Sequence, residues 1–277
     1  MRRLLVVLAV IALAAGFAGP AAASSRPIEY LALGDSLAFG YSPYVSPLDT
    51  AAFIGYPEIA ADGFRDAVTN ASCPGETSSH FISLDGADHG CGAWRGGGAP
   101  LHVDYATSQL AFADAFLQSH PKTLLVTLDI GANDVGALRD ECMATADPIG
   151  CLGAGMPAML ATLSANLDTI YSHIRTVDGY KHKLVALTVY SSNYSDALTT
   201  WAVSKVNQVL VDRTLAWGGI VADGFGAFAA ASAAYGGDTC AAGLRIPHVG
   251  SAGCDDHPSP AGSDLLAQTI LTTVRAD

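Results

Sequence analysis

The sequence predicts an α/β fold in which a parallel sheet lies between two layers of helices. Apolar runs rich in β-branched residues recur along the chain, and stretches with helical spacing of apolar residues separate them. Continuous apolar runs of this kind are typical of strands that are buried on both faces. Strands that alternate with helices usually pair in parallel, so the order of the elements itself indicates the sheet.

Five strands are predicted, and each is an apolar run that ends near turn-forming residues. The runs TLLVTLDIG and KLVALTVY are the clearest because they are long and rich in branched side chains. In chain order the predicted strands are Ile28–Gly34, Asp66–Ser72, Thr123–Gly131, Lys183–Tyr190 and Gly218–Phe225.

Five helices are predicted from apolar residues that recur three or four positions apart. The longest carries a stripe that we expect to face the core, made of Leu160, Leu163, Leu167, Ile170 and Ile174. In chain order the predicted helices are Pro57–Phe64, Tyr105–Ser119, Met156–Val177, Thr199–Ala216 and Ala261–Val274.

Residues 1–23 have the pattern of a secretory signal peptide. Arg2 and Arg3 precede an apolar run, and Ala21 and Ala23 fit the small-residue rule of signal peptidase, so cleavage is expected after Ala23. An uncleaved membrane anchor is the alternative, but the run is short for a span of about 20 residues. No other stretch is expected to cross a bilayer. Residues 24–277 are therefore expected to form one secreted domain without a stable membrane anchor.

The acidic composition limits the possible partners. The formal net charge of the whole chain is −12, and removal of Arg2 and Arg3 makes it −14. A nucleic-acid partner is not expected, because binding a phosphate backbone needs clustered Lys and Arg. Solubility outside the cell accounts for the acidity, and a monomer is the expected state.

Six cysteines in an exported chain are typical of disulfide bonds. Pairing of sequential neighbours is the simplest of many arrangements, and it joins Cys73 to Cys91, Cys142 to Cys151 and Cys240 to Cys254. Each bond would close a short loop and stabilise the fold by about 3 kcal/mol. A zinc site is disfavoured because no CxxC pair occurs.

Residues suited to catalysis follow the ends of predicted strands, where the sites of doubly wound sheets lie. Ser36 comes just after the first strand, and by itself it is equally consistent with a nucleophile and with a helix cap. Gly75 follows the second strand and Asn133 follows the third. His257 lies shortly before the last helix, and Pro258 fixes the turn after it.

Four sequence blocks together resemble the SGNH hydrolase superfamily, the GDSL lipases and esterases. The blocks are LALGDSLAFG, SCPGETS, GANDVG and DDHPSPAG. GDSL alone is a weak signal, whereas four blocks in this order between Ile28 and Thr273 are specific. The sequence is most similar to the secreted, three-disulfide actinobacterial lipases. The resemblance implies a three-layer α/β/α sandwich of flavodoxin-like type around a five-stranded parallel sheet.

The resemblance also implies roles for the matching residues. Ser36 matches the nucleophile and His257 matches the general base. The N–H of Ser36, the N–H of Gly75 and the side chain of Asn133 match the oxyanion hole. Chemistry agrees with these roles, because a serine hydroxyl needs an imidazole to take its proton and the resulting oxyanion needs hydrogen-bond donors.

Three candidates exist for the group that orients His257. The commonest family pattern places an aspartate three residues before the histidine, where this chain has Cys254. Some members place the acid two residues before it, so Asp255 is the expected acid and Asp256 is expected to face solvent. Asp256 itself, or a backbone carbonyl, is the alternative.

The remaining polar residues near these blocks are expected to be structural. Asp35 and Asp134 should bond to backbone around their turns. Four histidines, His80, His89, His102 and His248, are expected at the surface or in loops, because no H-E-x-x-H spacing occurs. No metal or organic cofactor is expected.

The expected function is a secreted serine esterase or lipase that hydrolyses a small-molecule or lipid ester. A sugar O-deacetylase of the acetyl-xylan type is the alternative within the same fold. A non-catalytic carbohydrate- or surface-binding protein is the alternative from another class. Loops at Ser72–His102 and Asp134–Gly155 are expected to select the substrate, because their Gly-rich and apolar content suits acyl chains.

Overall fold

A parallel sheet of five strands forms the centre of the protein in a computed structural model that describes residues 29–277. The strands are β1 Glu29–Gly34, β2 Val68–Asn70, β3 Thr123–Asp129, β4 Lys183–Leu187 and β5 Ile220–Ala222. They lie in the order β2-β1-β3-β4-β5, and every neighbouring pair is parallel. The chain therefore reverses its direction of travel across the sheet between β1 and β3, and the ends of these two strands form a natural crevice.

All five strands are found where the sequence predicts them, although most are shorter than predicted. The expected signal peptide, its cleavage point and the first residue of the first predicted strand, Ile28, lie outside the described residues. Beyond the parallel sheet, a two-stranded antiparallel hairpin joins β6 Arg245–Pro247 to β7 Cys254–Pro258.

Helices cover both faces of the sheet. In chain order they are α1 Ser36–Phe39, α2 Tyr56–Phe64, α3 Ser78–Ile82, α4 Cys91–Gly96, α5 Gln109–Ser119, α6 Ala132–Met143, α7 Pro148–Ser172, α8 Ala197–Ala216, α9 Gly224–Ser232 and α10 Pro260–Ala276. A π-helical turn, His173–Val177, extends α7. The predicted three-layer arrangement is confirmed.

Two apolar cores lie on opposite sides of the sheet, because successive side chains of a strand point to opposite faces. Leu31 and Leu33 of β1 pack with residues of α5, α7 and α8. Tyr30 and Ala32 pack with residues of α2, α9 and α10. Both faces of β1 are therefore buried, which explains why its sequence is a continuous apolar run.

Helix α7 begins eight residues before the predicted start at Met156. Asp147 accepts a hydrogen bond from the Gly150 N–H and Pro148 occupies the first turn, which is a strong start signal that the apolar spacing alone misses. By length and composition alone, the span Pro148–Val177 could cross a membrane, because an 18-residue window within it has a mean hydropathy of 1.3. The expectation that no stretch after the signal peptide is long and apolar enough to do so is therefore wrong. In this fold its buried stripe packs into the core beside α8.

The segment Ser72–His102 is not one long loop, as the sequence suggests, because it contains α3 and α4. Likewise Asp134–Gly155 is mostly helical, since it spans α6 and the start of α7. Disulfide bonds join the predicted sequential neighbours, Cys73 to Cys91, Cys142 to Cys151 and Cys240 to Cys254. The first two bonds tie α4 to the end of β2 and α6 to α7, so both segments are held against the edge of the sheet where the strands end.

Candidate active site

Ser36 lies at the carboxyl end of β1, where the strand passes into α1. The neighbouring Asp35 takes the capping role, since its Oδ1 accepts a hydrogen bond from the Leu37 N–H at 3.0 Å. The Ser36 hydroxyl is left for another partner, and its Oγ lies 2.9 Å from Nε2 of His257. The serine and the imidazole come from opposite ends of the described chain and meet at hydrogen-bond distance.

His257 lies on β7, three residues before α10 begins, and Asp255 holds its other ring nitrogen. Oδ1 of Asp255 is 2.5 Å from Nδ1 of His257 and also accepts the His257 backbone N–H at 3.0 Å. The hydrogen bond from His257 lowers the pKa of the Asp255 carboxyl below its ordinary value. Asp255 therefore stays ionised at neutral pH and fixes the imidazole with Nε2 facing Ser36.

The two alternatives to Asp255 do not reach the imidazole. The Asp256 side chain is 68% exposed and its Oδ1 lies 3.0 Å from Nη2 of Arg245. Within residues 29–277 no backbone carbonyl accepts a hydrogen bond from Nδ1 of His257. Asp255 alone of the three candidates contacts the ring.

Arg245 holds the backbone of β7 in place. Its Nε donates to the Asp255 carbonyl at 2.9 Å and its Nη2 donates to the Cys254 carbonyl at 2.9 Å. On the other side, the Tyr190 hydroxyl donates to the Asp256 carbonyl at 2.5 Å. Together with the Cys240–Cys254 bond, these contacts fix the short segment that presents the acid and the imidazole.

Two backbone N–H groups near Ser36 are free to bind an oxyanion. In the described part of the chain, neither the Ser36 N–H nor the Gly75 N–H donates to a protein acceptor. Gly75 has a φ of +80°, and a Cβ there would lie 2.6 Å from the Cα of Gly90. The turn that presents this N–H therefore requires glycine both for its backbone angle and for the close approach of the neighbouring segment.

Asn133 is the third expected donor, and it lies in the first turn of α6. Its Nδ2 donates one hydrogen bond to the Glu76 carbonyl at 3.0 Å, and its Oδ1 lies 3.0 Å from Nδ1 of His89. An amide nitrogen carries two hydrogens. One of them therefore remains for a ligand in the cleft.

A cleft with a volume of about 580 Å³ opens at Ser36 and His257. Its far wall is formed by α6, α7 and α8 and is mainly apolar, with side chains from Val135, Met143, Ile149, Leu152, Leu198 and Val203. The size lies within the usual range for small-molecule sites, roughly 300–1,000 Å³. An apolar group that reaches away from the serine would be removed from water along this wall.

The sequence from residue 32 to residue 265 matches the GDSL-like lipase/acylhydrolase family. The chain belongs to this family. No curated protein matches the sequence. Membership of this family shows that the chain is a carboxylic ester hydrolase.

Similar solved structures include two from Streptomyces. Phospholipase A1 from Streptomyces albidoflavus has a TM-score of 0.56 and 19% identity, covering 91% of this chain and 99% of that chain. The extracellular lipase from Streptomyces rimosus has a TM-score of 0.55 and 18% identity, covering 90% and 99%. The acetylxylan esterase Axe2 from Geobacillus stearothermophilus has a TM-score of 0.55 and 16% identity, covering 89% and 94%. At these identities the likeness shows the shared fold.

A buried polar network holds the backbone of Gly34, the first residue of the GDSL block. Gln109, at the start of α5, accepts the Gly34 N–H at 2.6 Å and donates to the Gly34 carbonyl at 3.0 Å. Its Nε2 also donates to Glu76 at 3.1 Å, and the other Glu76 oxygen lies 2.5 Å from Nδ1 of His80. The network therefore ties the turn that carries Ser36 to the segment that carries Gly75.

His80 corrects the expectation of a surface or loop histidine. It lies on α3, is 3% exposed, and its hydrogen bond to Glu76 raises the pKa of the imidazole. Burial raises the pKa of the Glu76 carboxyl. His102 and His89 are partly buried and make hydrogen bonds, whereas His248 is exposed as expected.

Asp134 also differs from its expected role. It accepts the Ser78 N–H at 3.0 Å and the Ser78 hydroxyl at 2.5 Å, so besides a bond to its own backbone it joins α6 to α3. Asp35 does bond locally, as expected.

Two buried carboxyls, those of Asp35 and Asp129, lie next to Ser36 at the ends of β1 and β3. Asp129, at the end of β3, accepts the Tyr56 hydroxyl at 2.8 Å and lies beside Asp35, whose N–H is 3.4 Å from Oδ2 of Asp129. Burial raises the pKa of both carboxyls, and the charge of Asp35 raises that of Asp129 further. Asp129 is therefore the member of the pair that holds a proton.

Among the described residues, one group of possible metal ligands lies close together, and it consists of Cys73, Glu76 and Cys91. The two sulfurs form a disulfide bond, so neither is a thiolate that could bind an ion. The group is part of the scaffold that holds Gly75.

The sequence blocks identify the residues at the reacting centre, but they miss the residues that support it. His89, Gln109 and Arg245 support the site and carry no local signature, because their partners are far away in sequence. Their position is the one available signal: His89 lies within the Gly- and Cys-rich segment next to the site, and Gln109 follows it. Glu76 lies within the block SCPGETS, but the resemblance assigns it no role.

Proposed function

We propose that this chain is a secreted serine esterase of lipase type that hydrolyses acyl esters through an acyl-enzyme. The observation that carries the proposal is the chain of hydrogen bonds from Asp255 to His257 to Ser36, at 2.5 Å and 2.9 Å. It has the connectivity of a nucleophile, its base and the acid that orients the base.

In the first half-reaction the Ser36 oxygen attacks the acyl carbon while Nε2 of His257 takes the hydroxyl proton. The carbonyl oxygen becomes an oxyanion that receives hydrogen bonds from the Ser36 N–H, the Gly75 N–H and the free Nδ2 hydrogen of Asn133. Collapse of the intermediate breaks the ester C–O bond, and the alcohol leaves with the proton from His257. The acyl group remains on Ser36.

In the second half-reaction a water molecule replaces the alcohol. His257 takes a proton from the water, and the hydroxide oxygen bonds to the acyl carbon. The Ser36 oxygen then leaves and recovers its proton from His257, which releases the carboxylic acid. Asp255 stays ionised throughout and stabilises the imidazolium each time it forms.

The apolar wall of the cleft supports an acyl chain longer than acetyl. An acetyl group would leave most of the roughly 580 Å³ unfilled, whereas a longer chain would cover the side chains of Val135, Leu152 and Val203. Because each buried methylene contributes about 0.8 kcal/mol, catalytic efficiency should rise with chain length until the wall is covered. Secretion is supported by the signal-peptide pattern and by three disulfide bonds.

A panel of p-nitrophenyl esters from acetate to dodecanoate, with acetylated xylan and a phospholipid beside it, tests the proposal. We expect kcat/KM to be higher for octanoate or decanoate than for acetate, and Ser36→Ala to lose at least about 10³-fold of the activity on every ester. Highest efficiency on acetyl groups would favour a deacetylase. A folded protein that hydrolyses none of these esters would contradict catalysis.

A further inference from the structure

His89 contacts the oxygen of the Asn133 amide. Its Nδ1 lies 3.0 Å from Oδ1 of Asn133, and its Nε2 lies 3.0 Å from Oδ2 of Asp140 on the same helix. The histidine side chain is 26% exposed and the aspartate side chain is 56% exposed. His89 and Asp140 therefore form a second imidazole–carboxylate pair, which contacts Asn133 and is separate from His257 and Asp255.

Both groups that face the His89 ring are acceptors. The Asn133 amide must present its oxygen to His89, because its nitrogen donates to the Glu76 carbonyl at 3.0 Å. The Asp140 carboxylate can only accept, and the hydrogen bond from His89 lowers the pKa of Asp140 below its ordinary value. A neutral imidazole has one N–H and can satisfy one of the two acceptors, whereas an imidazolium satisfies both.

The imidazole ring of His89 packs against α6 at Gly136. A Cβ at Gly136 would lie 3.0 Å from Cε1 of His89, so the missing side chain leaves room for the ring against the helix. On the other side, the backbone of His89 precedes Gly90, which packs against Gly75, and Cys91, which is bonded to Cys73. His89 therefore connects two of the three oxyanion donors, Gly75 through the backbone and Asn133 through the ring.

We propose that His89 is a positioning residue whose Nδ1–H donates to Oδ1 of Asn133 and holds the amide in the orientation that serves the oxyanion hole. The inference rests on the proposed function, because it assigns a purpose to the free hydrogen of Asn133. Without this donor the amide keeps only its contact with the Glu76 carbonyl, so its free hydrogen is no longer held in one direction.

Asp140 holds the other side of the ring, because its Oδ2 lies 3.0 Å from Nε2 of His89. The other oxygen of Asp140 accepts a hydrogen bond from Nε of Arg139 at 3.1 Å. His89 is therefore held at both ring nitrogens, by Asn133 and by Asp140.

Three variants test the proposal by steady-state kinetics on a p-nitrophenyl ester. His89→Ala should lower kcat about tenfold with KM changed less than about twofold, since the amide keeps its Glu76 contact but loses its oxygen-side donor. His89→Gln offers an amide donor to Asn133 and should retain most of kcat. Asp140→Asn should lower kcat less than His89→Ala does, because the ring and its contact with Asn133 remain.

His182→Gln is the matched control, because this histidine is exposed and lies outside the cleft, and its kcat and KM should match those of the wild type. Full kcat in His89→Ala would overturn the proposal. So would a kcat in His89→Gln as low as that in His89→Ala. The function itself is tested separately: if Ser36→Ala is inactive while the His89 variants behave like wild type, the esterase mechanism stands and the role of His89 does not.

Discussion

Asp255 and Asp256 are adjacent aspartates whose surroundings assign them different tasks. Asp255 contacts the imidazole at 2.5 Å, whereas Asp256 is exposed and pairs with Arg245. An exposed ion pair contributes little, roughly 0–1 kcal/mol. The difference between these neighbours is therefore directly testable.

Asp255→Asn should lower kcat by about 10³-fold, because a neutral amide neither stabilises the imidazolium nor enforces the tautomer that faces Ser36. Asp256→Asn is the matched control and should retain kcat within about threefold. Steady-state kinetics on one ester measures both. Similar losses in the two variants would contradict the assignment. Because the pKa of Asp255 is lowered, its contribution is present above the ordinary aspartate range and is lost only as pH falls below it.

Asn133→Ala should lower kcat by about 10²–10³-fold while KM changes little, because the lost hydrogen bond acts on the oxyanion and not on the bound ester. Asn166→Ala is the matched control, since that amide bonds to Ser78 and Ser79 outside the cleft. It should retain kcat within about threefold. If Asn133→Ala instead raised KM about 10²–10³-fold and left kcat unchanged, Asn133 would act in binding of the ester and not on the oxyanion.

At the residue scale, the sequence could predict the candidate reacting groups because they lie in short blocks. Ser36 and Asn133 follow the ends of predicted strands, and His257 lies shortly before the last helix. The supporting residues could not be predicted, since a contact such as Arg245 with the Asp255 carbonyl depends on how β6 pairs with β7. Such contacts exist only after the chain has folded.

The pair α6 and α7 forms the wall of the cleft and is joined near its tip by the Cys142–Cys151 bond. Leu152 lies on this wall in the first part of α7, between the bond and the core stripe of the helix. Its side chain is in a position to meet an acyl chain.

Leu152→Trp should lower kcat/KM for decanoate about tenfold or more, because the indole fills space that the acyl chain needs. Hydrolysis of acetate should change less than about twofold. Leu215→Trp is the matched control, since Leu215 is 58% exposed near the end of α8 and outside the cleft. Equal effects on acetate and decanoate would show that the acyl chain does not lie along this wall.

The bond between Cys240 and Cys254 joins the loop before β6 to the strand that carries His257. Replacing both cysteines by alanine should lower the free energy of unfolding by about 3 kcal/mol and also lower kcat, because the catalytic segment loses an anchor. Replacing Cys142 and Cys151 by alanine is the matched comparison. The free energy of unfolding should fall, but kcat on acetate should persist. Urea unfolding and kinetics measure both effects. Full kcat without the Cys240–Cys254 bond would contradict its anchoring role.

At the element scale, helices with an apolar stripe were predictable and the others were not. Helix α7 buries Leu163, Leu167 and Ile170, so its periodicity is visible in the sequence. Helix α6 buries little besides Cys142, so its sequence shows no stripe although it carries Asn133. The β6–β7 hairpin was missed because RIP and CDDHP lack the apolar alternation of a strand.

Across the whole molecule, the buried acids Asp35 and Asp129 link catalytic geometry to stability. Asp129 joins the end of β3 to α2 through the Tyr56 hydroxyl and to the turn that carries Ser36 through the Asp35 N–H. Its raised pKa means that the folded protein keeps a proton that the unfolded chain releases near pH 4. The free energy of unfolding should therefore decrease as pH rises above about 4, by at most about 1.4 kcal/mol per pH unit, until the folded carboxyl titrates.

Asp129→Asn should remove this contribution, because an amide does not titrate. Its oxygen can still accept from the Tyr56 hydroxyl and its nitrogen can donate to the Asp35 carboxylate, although the acceptor for the Asp35 N–H is lost. We expect the variant to gain stability relative to the wild type as pH is raised from 5 to 8. Urea unfolding at several pH values measures the difference. A difference between the two proteins that is constant over this range would contradict the protonated state of Asp129.

The overall fold was predictable because the alternation of apolar runs and helical stripes leaves few ways to bury both faces of a parallel sheet. Both faces of β1 and β3 are covered, as the continuous apolar runs indicate. What the sequence alone could not specify is the shape of the cleft, since α6 and the early start of α7 form its wall. The substrate preference therefore depends on the elements that were hardest to predict.

The central claim is that the Ser36 oxygen is the nucleophile of this GDSL-like acylhydrolase and that His257 activates it. Treatment of the mature protein with a fluorophosphonate, followed by peptide mass spectrometry, tests this claim most directly. We predict one adduct, on Ser36, formed at a rate that falls by at least about 10³-fold in His257→Ala. An adduct on another serine, or an unmodified Ser36 in a protein that still hydrolyses esters, would contradict the account.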